Sequence, residues 1–282
     1  MRPRRPSLPS RIAELRAQTS DIGQARCGVR TRSHGLLPIF LDRQPAAHDG
    51  KLLLREVHLG ATALGREQAI SFDFDSTLEV VTDQDQKLGL ASSGTLVLNR
   101  PDKLHATRKG GFADVEMDFD GKTMTLLRKD SNQFAKIEEP GSIDQLVDAL
   151  RDKYHRPVPA ADLLMADPYK ELMPSVVDVK DLGSGVIRGV ECDHLAFRSD
   201  EVDWQIWIAQ GDRPYPCRYV ITSTKIKGSP QYTVDVWDWK TGKDVASDDF
   251  TLAIPQGAKE VKPDDVSDAD ELPAIFAVKG AQ

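Results

Sequence analysis

The chain predicts a mainly β protein, an antiparallel sheet laid down in two blocks of strands with a helical insertion between them. Three observations carry that reading. Apolar and polar residues alternate at period two over residues 70–137 and again over 176–254, the pattern of strands with one face buried and one in water. Between the blocks, Ile143, Leu146, Val147, Leu150 and Tyr154 recur at helical spacing instead. The densest strand signal, Cys192 to Ile208, reads as a hairpin. In it Leu195 and Phe197 oppose His194, Ala196 and Arg198, then Trp204, Ile206 and Ile208 oppose Asp203, Gln205 and Trp207, with Ser199, Asp200 and Glu201 as the polar turn.

At 282 residues the length suits one all-β domain, which reaches roughly 200 to 250 residues, plus tails. Residues 1–50 are rich in Arg, Pro, Ser and Gly without a sustained period and read as a largely disordered tail. Residues 51–262 read as a single domain with a helical insertion at 142–173, and 263–282 as an acidic C-terminal tail. The net charge of −7 is uneven. Nine Arg against four acids give the first fifty residues a local +5, which leaves the rest near −12. So acidic a body lacks the basic stripe that tracks phosphates, which argues against nucleic acid as a partner.

The longest apolar run near the front, Leu36 to Leu41 with Pro38 inside it, is far short of the roughly 20 residues that span a bilayer. It also lacks the shape of a secretory signal. Three cysteines, Cys27, Cys192 and Cys217, do not make a disulfide framework. In a meander the latter two stand two strands apart, about 10 Å at roughly 4.8 Å per strand. That exceeds the roughly 7 Å limit for a bridge, so both are expected to be free.

Taken in order, residues 52–64 suggest a first helix weakened by Gly60 and Gly65. Ile70 to Val80 is a long strand with Phe72 and Phe74 on its apolar side. Lys87 to Leu98, Leu104 to Lys109, Ala113 to Phe119, Thr123 to Arg128 and Asn132 to Ile137 complete the first block, with Asp120-Gly121 a strong hairpin turn. Ser142 with Gln145 three residues later is a capping box that opens the helix. Pro157 and Pro159 end it, and Ala161 to Met165 plus Tyr169 to Met173 form short helical turns bracketed by Pro168 and Pro174. The second block reads as strands at Val176–Asp181 and Val186–Val190, with Gly183-Ser184-Gly185 a turn between them, then the hairpin, Cys217–Thr224, Gln231–Trp239 and a last strand at Phe250–Ile254. Simple alternation puts Trp237 and Trp239 on one face.

No residue pattern names a reaction. Glu191-Cys192-Asp193-His194 offers four metal-capable side chains, but on a strand at most two share a face, and no CxxC or HxxxH accompanies them. There is no GxSxG elbow, and the acids of Ile70–Val80 alternate as a wet strand face does. The chain is expected to be no enzyme and to use no cofactor. The Met-bearing, Pro-bracketed segment around Leu163, Leu164, Met165, Leu172 and Met173 reads either as a pliable lid, since Met repacks around varied ligands, or as a helix plugging the sheet.

Several segments together resemble a bacterial family of predicted periplasmic proteins, the domain of unknown function 2092 family. They are Asp120-Gly121-Lys122-Thr123, Pro140-Gly141-Ser142-Ile143-Asp144, Ala160 to Leu164 with Asp167-Pro168-Tyr169, Cys192 to Arg198, Val202 to Ile208, and Val220-Ile221-Thr222 with Pro230-Gln231-Tyr232. The resemblance spans about Ile70 to Val261. It implies membership of the lipoprotein-carrier-like (LolA/LolB-like) superfamily and thus a half-open antiparallel β-barrel of about 10–12 strands with helices closing its concave face. It further implies a periplasmic location and a hydrophobic ligand, an acyl chain, lipid or lipidated protein, in the barrel cavity, with peripheral contact to the membrane. The front departs from the family, which usually begins with a signal peptide and an amphipathic helix; a misassigned start or shifted frame before residue 60 is the favoured reading.

The expected function is therefore a non-enzymatic envelope protein, a carrier or chaperone for a hydrophobic ligand. Strand phase gives the expected lining: Phe72, Phe74, Met117, Phe119, Leu164, Met165, Leu195, Phe197, Trp204 and Ile206. These would hold acyl chains by apolar burial worth about 25 cal/mol per Å². The alternative is a periplasmic scaffold or regulatory module with a filled core that binds protein through an open sheet edge.

Overall fold

The computed structural model describes residues 65, 67–111, 113–155, 158–245 and 250–263. The expected helix at 52–64 lies outside them. Among the described residues twelve strands form one sheet: β1 (Ala69–Val81), β2 (Lys87–Asn99), β3 (Lys103–Gly110), β4 (Asp114–Phe119), β5 (Thr123–Arg128), β6 (Gln133–Glu138), β7 (Val176–Ile187), β8 (Val190–Ser199), β9 (Val202–Ala209), β10 (Pro216–Ser223), β11 (Gln231–Thr241) and β12 (Lys259–Glu260). Their spatial order is β12-β6-β5-β4-β3-β2-β1-β11-β10-β9-β8-β7. Every neighbouring pair is antiparallel except the short parallel contact of β12 with β6. Each block is thus a meander of consecutive hairpins, and β1 joins the two by pairing β2 on one side and β11 on the other. Among the described residues the sheet does not close, and β7 ends it on one edge.

Local chemistry explains the turns. Asp120 accepts from the backbone amides of Lys122 and Thr123, each at 2.8 Å, and Gly121 takes φ +87°, a left-handed conformation that glycine adopts without strain. Those two amide bonds, that from Thr123 foremost, hold the Asp120 carboxyl below its usual range. In the second block the glycines act otherwise than their spacing suggests. Gly183-Ser184-Gly185 is no turn, because β7 runs through it with a register shift between Asp181 and Ser184. The hairpin turn is Arg188-Gly189, both at positive φ (52° and 84°), the geometry of a two-residue type I′ loop.

Two further expectations change. Trp237 and Trp239 lie on opposite faces, because Asp238 (φ 52°) takes up the extra residue where the β1–β11 register shifts and so reverses the alternation. Trp239 stacks on Phe72 at 5.2 Å and on Tyr215 at 5.5 Å, whereas Trp237 lies under the Arg188 guanidinium at 4.7 Å. No ladder forms at Phe250–Ile254. Strand pairing resumes only past Pro255, where Lys259 comes alongside β6. The cysteines meet expectation: Cys192 and Cys217 are free and buried, with β9 between their strands.

Helix α1 (Ile143–Asp152) opens on the expected capping box: Gln145 N donates to Ser142 Oγ at 3.3 Å, and Ser142 N to Gln145 Oε1 at 2.8 Å. Its apolar stripe, Ile143, Leu146 and Leu150, is buried against Ile70, Leu98, Leu104, Phe119, Met124 and Ile137 of the first block. The insertion continues as a 3-10 turn (Ala161–Leu164), helix α2 (Pro168–Leu172) and a second 3-10 turn (Met173–Ser175). It packs on the second block through Leu163, Tyr169, Leu172 and Met173. Polar ties hold the insertion in place. Arg100 Nη1 donates to Leu164 O at 2.7 Å, and Ala166 N to Asp144 Oδ1 at 3.0 Å. The helices thus cover one face of the sheet, the inner face, and each block has its own core beneath them.

Candidate functional site

Along one line of register across the inner face, the side chains shrink from Tyr219 onward. Leu195 on β8 stands opposite Ile206 on β9, then come Tyr219, Val234, Ser76, Ser92 and finally Gly110 on β3. The insertion sits over the bulky end, where Leu163 packs with Leu195, Phe197, Trp204, Ile206 and Tyr219. The Phe197 and Trp204 rings stack at 3.7 Å, and Tyr219 meets Trp204 edge-on at 5.8 Å. At the other end Ser76, Ser92 and Gly110 are too small to fill the space above them, and a pocket of about 190 Å³ remains.

Leu78, Leu90 and Tyr232 wall the pocket, and Arg108 supplies the one cation among the described residues of its lining. On its floor the hydroxyls of Ser76 and Ser92 bond each other at 2.8 Å, so the buried Ser76 hydroxyl is satisfied without a ligand. Gly94, on the neighbouring line, makes room for Phe74: a Cβ there would lie 2.6 Å from the Phe74 ring and 1.9 Å from Thr107 O. The volume is below the roughly 300–1,000 Å³ of pockets that enclose a drug-sized ligand. As it stands, it suits one short apolar segment with a polar end at the rim.

The residues singled out by strand phase lie on the inner face but not in this pocket. Leu195, Phe197, Trp204 and Ile206 are buried in one core with Phe74 packed against it; Phe119 is buried in the other with Met117 and Leu164 against it; and Phe72 touches both. Met165 is buried in the insertion. None of them lines the hollow. Alternation along β1 and β2 puts Ser76, Leu78 and Leu90 on the inner face, but the hollow exists only through the pairing of β1, β2 and β3, which puts the small residues in line. Its sequence signal is the break in an apolar stripe at Ser76.

The Glu191-Cys192-Asp193-His194 run does not converge. Cys192 is buried on the outer face in a small cluster with Ile187, Ala209 and Cys217. His194 stacks on Trp207 at 3.9 Å, and its Nε2 is 3.0 Å from Gln205 Oε1. Burial sets the electrostatics of the core under the insertion. Desolvation raises the Asp162 carboxyl above its ordinary range, and the deeply buried Tyr219 hydroxyl is pushed up likewise, chiefly by burial and then by the nearby Asp162 charge. On the outer face, burial pushes the Cys217 thiol up to about 12.

Fold and site together define a mainly β protein, a mostly antiparallel sheet that does not close among the described residues and is partly covered by one helical insertion. The chain belongs to the DUF2092 family, described as predicted periplasmic proteins, whose model matches residues 57–262. Among solved structures it is similar to an uncharacterized conserved protein from Thermus thermophilus, at 12% identity over 74% of this chain and 98% of that chain, with a TM-score of 0.43. It is also similar to the Mycobacterium tuberculosis lipoprotein LppX, at 15% identity over 68% and 96%, TM-score 0.35. A LolA superfamily protein from Nitrosomonas europaea aligns at 11% identity over 66% and 92%, TM-score 0.29. No curated protein matches the chain.

Proposed function

We propose that the protein binds a hydrophobic ligand, an acyl chain, a lipid or the lipid group of a lipidated protein, on the inner face of the sheet, as a non-enzymatic carrier or chaperone in the periplasm. One observation supports this most: the hollow over Ser76, Ser92 and Gly110, which adjoins an apolar wall and opens on the helix-covered face of an unclosed sheet. In this reading the chain end seats between Leu78, Leu90 and Tyr232, and Arg108 favours an anionic head at the rim. Longer chains need more room. Lifting the insertion would expose Phe72, Phe74, Met117, Phe119, Leu164, Met165, Leu195, Phe197, Trp204 and Ile206 to the ligand, and Met165 and Met173 are side chains that repack readily.

Native mass spectrometry of the purified protein is expected to find lipid bound, and a fluorescent C16 fatty acid is expected to saturate the lipid-stripped protein. A protein that stays at its bare mass after exposure to lipid, and does not enhance the probe's emission, would sink the reading.

A second reading, a scaffold or regulatory module that binds protein, is favoured by the edge strand. Val177 is 67% and Val186 64% exposed on β7, whose outer edge is unpaired among the described residues, and sheet edges accept extended peptides. Cross-linking in envelope extracts that yields no partner at β7 would remove it.

A further inference from the structure

We propose that His105, Glu116 and Asp118 form a site for a divalent transition metal, with Zn²⁺ the best match, on the outer face of the sheet. His105 on β3 stands directly opposite Asp118 on β4, and Glu116 follows on the same face two residues along, so a rigid antiparallel pair presents all three side chains. His105 Nδ1 is 2.9 Å from Asp118 Oδ1. One ligand atom from each of the three lies within 4.8 Å of the other two.

The donor set is one imidazole nitrogen and two carboxylates, a combination that suits zinc and its first-row neighbours better than Mg²⁺ or Ca²⁺, which prefer oxygen throughout. Zinc bonds of about 2.0–2.2 Å place tetrahedral donors roughly 3.4 Å apart. Metal binding would require side-chain rotation to close the remaining gap. Water would complete the coordination.

Burial distinguishes the trio from an ordinary acidic surface. Asp118 is 4% exposed, and His105 and Glu116 are half-buried. Carboxylates set that deep in a sheet face need positive charge beside them. The Lys129 ammonium ion-pairs with Glu116, and the His105 ring hydrogen-bonds Asp118. A metal would concentrate that charge at one point and displace Lys129, which makes the lysine a built-in competitor. The site is independent of the inner-face pocket and of its ligand.

The test is calorimetric titration of the chelator-stripped full chain with ZnCl₂, with MgCl₂ as the hard-cation control. One equivalent of zinc is expected to bind. Loss of an outer partner alone weakens metal sites by about 10–100-fold, so His105→Ala and Glu116→Gln should each weaken binding at least tenfold, and Lys129→Met should tighten it. Glu116→Gln is isosteric and half-buried, which keeps the test open should His105→Ala fold poorly. The proposal is overturned by absence of saturable zinc uptake, by uptake that both ligand variants leave unchanged, or by Mg²⁺ binding more tightly than Zn²⁺.

Discussion

Arg188, at the tip of the β7–β8 hairpin, donates from Nη1 to Asp75 Oδ2 on β1 at 3.0 Å, although β11, β10 and β9 lie between those strands in the sheet. The contact is made because the tip folds back over the outer face. Its guanidinium lies on the Trp237 ring, and Ile187 is buried against Cys192, Ala209 and Cys217. The small side chains of that cluster leave room for the isoleucine, and the isoleucine in turn seals both thiols from water.

The latch should therefore govern thiol access. Its ion pair is about half exposed, at 48% and 45%, and such pairs contribute at most about 1 kcal/mol, with about 0.5–1 kcal/mol more from the ring contact. Arg188→Ala is expected to raise the labelling rate of Cys192 and Cys217 up to about tenfold, the factor that about 1.4 kcal/mol confers, with little loss of overall stability. Unchanged labelling by a thiol-reactive dye would mean that Ile187 packing alone holds the tip.

The helix start can be tested separately. Ser142→Ala removes one of the two reciprocal bonds of the capping box and is expected to cost about 1 kcal/mol, read as a lower urea midpoint with an unchanged denaturant slope. Leu146→Ala, at the fully buried centre of the α1 stripe, should cost about 2–5 kcal/mol. If the serine variant proved the costlier, the packing described for α1 would be wrong.

Asp162 sets a pH dependence with a definite sign. Burial raises its folded-state pKa above the ordinary 3.8, so in the window above 3.8 the folded state holds more proton than the unfolded chain. Stability then falls as pH rises through that window and stays reduced above it. Asp162→Asn is expected to raise the melting temperature at pH 7 and to change it little below pH 3.8. Asp120, held below its usual range by backbone amides, acts the other way: its contribution is present above the ordinary value and is lost as pH falls through the lowered one. An Asp162→Asn variant that melts lower at pH 7 would contradict the burial argument.

Filling the hollow tests where a ligand sits. Ser92→Leu puts a bulky side chain over the floor and removes the bond to Ser76, at a cost of about 1–3 kcal/mol for the buried hydroxyl left behind. A variant that folds yet binds the C16 probe at least tenfold more weakly is expected. Undiminished binding would move the ligand away from Ser76 and Ser92.

Much of the fold was legible because strand and helix periods are local properties. Period two in β1, β4, β8 and β9 and the helical period of α1 each follow from one stretch of chain, as do the Asp120-Gly121 turn and the Ser142–Gln145 box. The departures lie where a backbone irregularity changes phase. Asp238 parts Trp237 from Trp239, and β7 absorbs Gly183 as a bulge that a reader of spacing takes for a turn. Neither residue type announces this, since positive φ at an aspartate and an unpaired residue in a ladder depend on the partner strand.

The sequence by itself determined which side chains share a face, where the sheet pauses for helices, and the likeness to a periplasmic family, all set by alternation and short motifs along the chain. Only the tertiary structure decided which of those faces meet. The hollow at Ser76, Ser92 and Gly110, the trio of His105, Glu116 and Asp118, and the reach of Arg188 to Asp75 each join strands whose register comes from packing across the whole sheet, and no single strand contains that information.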